Sequence, residues 1–173
     1  MDTIKKRLMF NSNDDPYYMC FWILITLDQL GKKDDNYFKD SRKLLFIILL
    51  LSDNNTFDSI IRSMKFGSSK QEQDILFDSY KDGITQISRF NSLLITLEKK
   101  ELIFIKKSKN LDTLDLSLNK KNIPKDFFDK KSFKPDYEKI KKLKSSVERI
   151  TALSLDTFIE RVYKNNGVKT WQV

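Results

Sequence analysis

The run LLFIILLL, from Leu44 to Leu51, constrains the fold of this chain more than any other stretch. Eight apolar residues in succession are too few to cross a bilayer, because a spanning helix needs about 20. The run should therefore be buried in a protein core. Periodicity does not separate a helix from a strand in so short a run, so a strand is the alternative. We predict a helix over Ser41–Ser52, because no neighbouring segment offers a partner strand.

The composition fits one mostly helical domain built around that core. The 173 residues are 40% hydrophobic, and only 4 Gly and 3 Pro are present, so few special turns are expected. We divide the chain into an N-terminal arm (1–14), a helical domain (15–120), a basic linker (121–136) and a C-terminal helix packed on the domain (137–173).

Helix boundary signals divide the domain further. Asp15 can cap a helix whose first turn contains Pro16, and Gly31 fits its C-terminal cap. A third helix is predicted over 57–66, where apolar side chains recur at helical spacing. Gly83 is expected to break the next pattern into a short helix over 71–82 and a helix over 84–101.

A β-hairpin is predicted after these helices. The segment Leu102–Ile105 is rich in β-branched and aromatic residues, and 111–118 alternates in part between leucine and polar residues. Two strands alone are marginal, so the hairpin (about 102–118) should pack on the helices. A helix that runs into a hairpin is typical of a winged-helix domain. The last helix is predicted as one continuous element from Tyr137 to Asn165.

The sequence lacks the residues that most enzymes use. It contains no histidine, and its single cysteine, Cys20, lies in an apolar run that favours a buried, inert thiol. No phosphate-binding loop or nucleophile elbow is present. The acidic pairs Asp14–Asp15 and Asp34–Asp35 are explained by helix capping and solvated loops. We expect no catalytic activity, no cofactor and no metal, in a reducing cytoplasm without disulfides.

The positive charge is concentrated in the second half of the chain. The net charge is +8, and residues 101–173 hold 17 basic against 10 acidic side chains. An acidic partner such as nucleic acid would explain it, and a lysine-rich codon bias is the alternative. The candidate residues for phosphate contact lie on the hairpin, on the helix before it and after the second strand: Lys106, Lys107, Lys109, Arg89, Lys120 and Lys121.

Base reading would need further polar side chains on the helix before the hairpin. Gln86, Asn91 and Ser92 are the available ones beside Arg89, and Glu98 and Glu101 weaken the positive patch. This set is thin, so phosphate contact without sequence reading is the better hypothesis. A solvated, lysine-rich turn is the alternative.

Aromatic side chains near the C-terminus suggest contact with another protein, because aromatic residues are enriched in interface cores. The candidates are Phe127, Phe128, Phe133, Tyr137 and Trp171. The alternative is that these rings only pack the linker onto the body.

The order of these segments resembles a known family. Asp15-Pro16 opens an apolar helix, LLFIILLL forms a second, FDSYKDGITQISRFNSLLITLEKKELIFI resembles a long helix entering a strand, and the chain closes with NNGVKTWQV. This layout is similar to the small middle component of three-component ABC-type systems, the accessory subunit of Lamassu-type anti-phage defence. Gly167-Val168 matches the family's closing motif, whereas Trp171 stands where a proline is usual and Asp15 where asparagine is frequent.

The resemblance implies a non-catalytic subunit. It would join an SMC-like ATPase to an effector, often a nuclease, in a bacterial anti-phage or anti-plasmid complex, and the ATPase would bind the ATP. The alternatives are a free-standing winged-helix transcriptional regulator and a winged-helix subunit of a condensin-like complex. Few polar side chains between Ile84 and Lys100 could read bases, which argues against the regulator.

Overall fold

A computed structural model describes residues 15–31, 37–108 and 113–171. The predicted N-terminal arm and Lys109 therefore lie outside the described residues. The described chain is mostly helical with one antiparallel hairpin, which confirms the predicted fold class. Its elements are α1 (Pro16–Leu30), α2 (Ser41–Ser52), α3 (Asn54–Phe66), α4 (Lys70–Lys99), β1 (Ile103–Lys107), β2 (Leu114–Leu118), α5 (Lys134–Ser146) and α6 (Leu155–Val162).

Helix α1 begins and ends where the boundary residues indicate. The Asp15 carboxylate accepts a hydrogen bond from the backbone N–H of Tyr17 at 2.9 Å, and Pro16 occupies the first turn. At the other end the Gly31 N–H donates to the carbonyl of Leu27. These caps satisfy backbone groups that the helix itself leaves without a partner.

The run Leu44–Leu51 is helical, and it forms the centre of the molecule. Every residue in it is at most 3% exposed. Helix α2 is surrounded by other elements: it contacts α1, α3, α4, α5, α6 and β2. Because its sides are covered in this way, its sequence is apolar around the whole circumference. Within the described residues no single helix is long and apolar enough to cross a membrane, although α2 and α3 pass that test together as a pair bent by 101°.

Gly83 does not break a helix, so that prediction is wrong. It lies inside α4, a continuous helix of 30 residues that begins with a capping box between Ser69 and Glu72. A Cβ atom at position 83 would stand 2.1 Å from Cε1 of Phe46 in α2. The glycine is therefore explained by the close approach of α4 to α2.

The predicted hairpin is confirmed. Strands β1 and β2 pair antiparallel, with Ile103 opposite Leu118 and Lys107 opposite Leu114. On the outer edge of β2, Phe38 exchanges two backbone hydrogen bonds with Leu116, at 2.7 and 2.9 Å. The segment between α1 and α2 thus ties the hairpin to the helical core.

The prediction of one long C-terminal helix is wrong, because two helices occupy that region. Helix α5 ends at Ser146, and α6 begins at Leu155 with the Ser154 hydroxyl as its cap. Between them Arg149 has a φ of 56°. Helix α5 also begins at Lys134, inside the predicted linker, so the linker is shorter than expected.

Candidate nucleic-acid and partner interface

The hairpin presents two of the lysines predicted to contact phosphate. Lys106 and Lys107 are exposed on β1, and the Lys106 ammonium lies 5.6 Å from the centroid of the Tyr37 ring. Lys106 stands opposite Asp115, a buried residue whose carboxylate pairs with Lys39 at 2.8 Å. The described part of the hairpin therefore offers a small positive surface rather than a dense cluster.

The face of α4 expected to read bases is partly covered. Gln86 and Arg89 line a small cavity together with Asp15 and Pro16 at the start of α1; Gln86 is half-buried there, whereas Arg89 remains exposed. The side-chain oxygen of Asn91 is buried. A recognition helix needs such side chains open to a groove of DNA, so this arrangement does not favour base reading.

Ser92, the remaining polar candidate on α4, is exposed. Its hydroxyl donates to the carbonyl of Ser88, one helical turn earlier, at 3.2 Å. Such a bond to the preceding turn is a common way for a helical serine to satisfy its hydroxyl. Ser92 therefore adds little to the case for base reading.

The two lysines after β2 differ in their surroundings. The Lys120 ammonium forms an ion pair with Asp28 of α1 at 2.7 Å, where the Asp28 side chain is 12% exposed, and it lies 6.0 Å from the Phe128 ring centroid. These contacts anchor the segment after the hairpin to α1. Lys121 is exposed.

The phenylalanines of the linker form one aromatic cluster with α1. Phe21 lies 4.9 Å from Phe133 and 6.4 Å from Phe127 between ring centroids, and Phe128 lies 5.2 Å from Phe127. Because the three linker rings are half-buried in these contacts, they pack the linker onto the body, as the alternative interpretation expected. A role in partner binding for these rings stays a prediction.

Tyr137 is buried in α5, at 8% exposure, so its ring offers little surface to a partner. Burial raises the pKa of its phenol to about 12, and the charges of Asp28 and Asp129 act in the same direction. Its position on the inner side of α5 makes it a packing residue.

Trp171 is the predicted partner-binding residue that the structure leaves most open, at 50% exposure. It meets Phe77 of α4, which is 37% exposed, with 6.2 Å between ring centroids. The Tyr80 hydroxyl donates to the carbonyl of Trp171 and accepts its N–H at 3.1 Å, which fixes the backbone under the indole. We call Phe77 and Trp171 the aromatic pair.

Sequence reasoning missed Phe77. Leu76 and Tyr80, one turn apart, define the buried face of α4, and Phe77 lies out of phase with them. An aromatic residue that lies off the apolar face of a helix indicates exposure, and this pattern could have identified Phe77 from the sequence.

Lys43 is a second feature that the sequence did not reveal. This side chain lies inside the apolar helix α2 and is fully buried. Its ammonium donates to the carbonyls of Leu153 at 2.7 Å and Thr151 at 3.1 Å, both in the break between α5 and α6. Burial lowers its pKa to about 8, although the charges of Asp40 and Asp115 oppose that shift. Because the amine is buried and held by two backbone carbonyls, we assign it a structural role.

Two further observations concern Cys20 and the acidic side chains of the described residues. Burial raises the pKa of the Cys20 thiol, and the Asp15 charge adds to that effect, so the reactive thiolate is disfavoured. Within residues 15–31, 37–108 and 113–171, no group of three or more cysteine, aspartate or glutamate side chains could hold a metal ion.

Comparison with known proteins adds no further constraint: no family model, no curated protein and no solved structure matches this chain.

Proposed function

We propose that the protein is a non-catalytic subunit of a multiprotein assembly. The specific form of the proposal follows from the family resemblance: an accessory subunit that joins an SMC-like ATPase to an effector in a cytoplasmic, bacterial defence complex. The partner ATPase would bind the nucleotide. Contact with DNA would be nonspecific and carried by lysines.

The observation that carries the assembly role is the aromatic pair. Phe77 and Trp171 contact each other at the surface while remaining substantially exposed. Large aromatic side chains supply much of the binding energy in protein interfaces, particularly when they are held in place before binding. The two hydrogen bonds between Tyr80 and the Trp171 backbone provide that positioning.

Affinity capture of the full chain from its native host, followed by mass spectrometry, tests the proposal. We expect a large coiled-coil ATPase and an effector to be recovered with the wild type. Phe77→Ala combined with Trp171→Ala should reduce that recovery at least about tenfold, since a hot-spot ring contributes about 2 kcal/mol or more. The Trp171→Ala change removes a ring contact with Tyr80 (5.0 Å between centroids) but keeps the two hydrogen bonds between Tyr80 and the backbone, so the fold should survive, which circular dichroism of the double variant checks.

Phe66→Ala combined with Tyr17→Ala is the matched control, because both rings are exposed, at 82% and 85%, outside the aromatic pair. It should leave recovery unchanged. Recovery of the chain alone on a defined DNA fragment would instead support a winged-helix regulator. An equal loss in both double variants would show that the aromatic pair has no special role.

A further inference from the structure

A groove with a lysine-rich rim runs along α5. It has a volume of about 310 Å³, and Tyr137 and Ile140, both buried, contribute to its floor. Glu138 is the carboxylate among its described lining residues. Its cationic rim consists of Lys130, Lys134, Lys141 and Lys144, which we call the rim lysines.

Helical spacing places three of the rim lysines on one side of α5. Lys134, Lys141 and Lys144 are separated by seven and three residues, or about two turns and one turn of helix. At a rise of about 1.5 Å per residue they extend over roughly 15 Å along the helix axis. Leu143, on the inner side, is 1% exposed and holds the helix on the body.

The rim lies in the most positive segment of the chain. Residues 119–146 contain ten lysines and four carboxylates, a net charge of +6 in a protein whose total is +8. On the rim, Lys134 forms an ion pair with Glu138 at 3.8 Å, and both side chains are more than 60% exposed. A pair so open to water neutralises little of the field.

We propose that the groove binds the phosphodiester backbone of double-stranded DNA without reading its sequence. The duplex carries one negative charge per roughly 1.7 Å of its axis, so a row of cations about 15 Å long faces several phosphates at once. Lysine ammonium groups bind phosphates as point charges. The uncharged polar side chains on the lining are Gln29, whose amide donates to Asp28, and the buried Tyr137, so the groove offers little to read base edges. A single free phosphate would occupy only part of the row.

This inference rests on the nucleic-acid part of the proposed function and relocates it from the hairpin to α5. Of the hairpin lysines, Lys106 stands opposite Asp115 and against Tyr37, and after the hairpin Lys120 is paired with Asp28. The rim lysines, by contrast, form a longer row of positive charge than the hairpin lysines do.

Fluorescence anisotropy with the full chain tests the assignment. Two short duplexes of unrelated sequence should bind equally, with an affinity that falls steeply between about 50 and 200 mM salt. The triple variant Lys134→Ala, Lys141→Ala, Lys144→Ala should lower the slope of log affinity against log salt by about 3. Its affinity at about 100 mM salt should fall roughly tenfold or more.

The matched control removes the same charge elsewhere: Lys65→Ala, Lys99→Ala and Lys164→Ala, three exposed lysines outside the groove. It should change the slope by less than about 1. Equal losses in both triple variants would overturn the proposal, because net charge alone would then explain binding. A larger loss with Lys106→Ala combined with Lys107→Ala would return the contact to the hairpin.

A competitor identifies the kind of polyanion. Unlabelled duplex should displace the labelled duplex at lower concentration than polyglutamate does, and inorganic phosphate should displace it only through ionic strength. Tighter binding of polyglutamate would overturn the assignment to DNA. These measurements use no partner protein, so their failure is distinguishable from loss of the aromatic-pair interaction.

Discussion

Helices α2 and α5 are nearly equal in length, at 12 and 13 residues, but their lysine side chains lie in different environments. In α2 the Lys43 ammonium is fully buried and held by two backbone carbonyls. In α5 four of the five lysines are exposed, whereas Lys139 is half-buried and its ammonium donates to the carbonyl of Leu51. The comparison teaches that position in the fold decides whether a lysine stabilises structure or presents charge.

The difference follows from the number of neighbours. Because α2 is surrounded by other elements, a charge there needs internal acceptors, and the break between α5 and α6 supplies them. The buried residues of α5 lie on one side of the helix, so its four exposed lysines keep their hydration and project a shared field. Three experiments test how far the two helices differ, ordered here by the size of the expected effect.

The largest effect is expected where α4 touches α2. Gly83→Ala would place a methyl group 2.1 Å from Cε1 of Phe46. Phe46 is fully buried between Tyr80 and Tyr163, so its ring has little room to move. We expect the free energy of unfolding to fall by about 3 kcal/mol, despite the better helix propensity of alanine. Chemical denaturation measures it.

Two controls separate this clash from a general intolerance of change. Lys141→Ala on α5 should alter the free energy of unfolding by less than about 0.5 kcal/mol, because the side chain is exposed. Adding Phe46→Leu to Gly83→Ala should recover part of the loss. If Gly83→Ala were as stable as the wild type, the close approach of α4 to α2 would be wrong.

The second effect is a pH dependence caused by Lys43. Its pKa is about 8 in the folded protein and 10.5 when unperturbed. Between these values the unfolded chain binds a proton that the folded protein has released, so the free energy of unfolding rises with pH. We expect a rise of about 2 kcal/mol from about pH 7.5 to about pH 9.5.

Comparison with variants isolates this contribution. Lys43→Met should lack the rise, whereas Lys141→Met on the exposed side of α5 should retain it. The measurement should stop near pH 10, because burial raises the pKa of Tyr137 to about 12. The unfolded chain loses that phenolic proton first, so stability then falls with pH. Equal slopes for the wild type and Lys43→Met would show that the Lys43 ammonium reaches solvent.

Sequence patterns could predict the elements that depend on nearby residues. The helix of Leu44–Leu51 and the hairpin follow from local composition, and Asp15-Pro16 marks a helix start by its own chemistry. Gly83 was misinterpreted because glycine marks both breaks and close approaches, and its partner Phe46 is distant in sequence.

Long-range contacts explain the other failures of sequence reasoning. The break after α5 contains no glycine or proline, and the lysine that binds its carbonyls lies 108 and 110 residues earlier. In the candidate interface, Trp171 could be predicted from its type and position near the C-terminus. Phe77 gained significance only when the fold brought it to Trp171. Three of the rim lysines could likewise be placed on one side of a helix only once the boundaries of α5 were known.

The smallest effect concerns how α5 is held in place. Phe133, which precedes the helix, contacts Phe21 of α1 with 4.9 Å between ring centroids. A double-mutant cycle with Phe21→Leu and Phe133→Leu should give a coupling of about 1 kcal/mol, as for other aromatic pairs. The cycle of Phe21→Leu with Phe66→Leu should give no coupling, because Phe66 is 82% exposed and contacts no described ring. Zero coupling in both cycles would mean that Leu143 and its neighbours alone hold α5, and the aromatic cluster would then be dispensable for presenting the rim lysines.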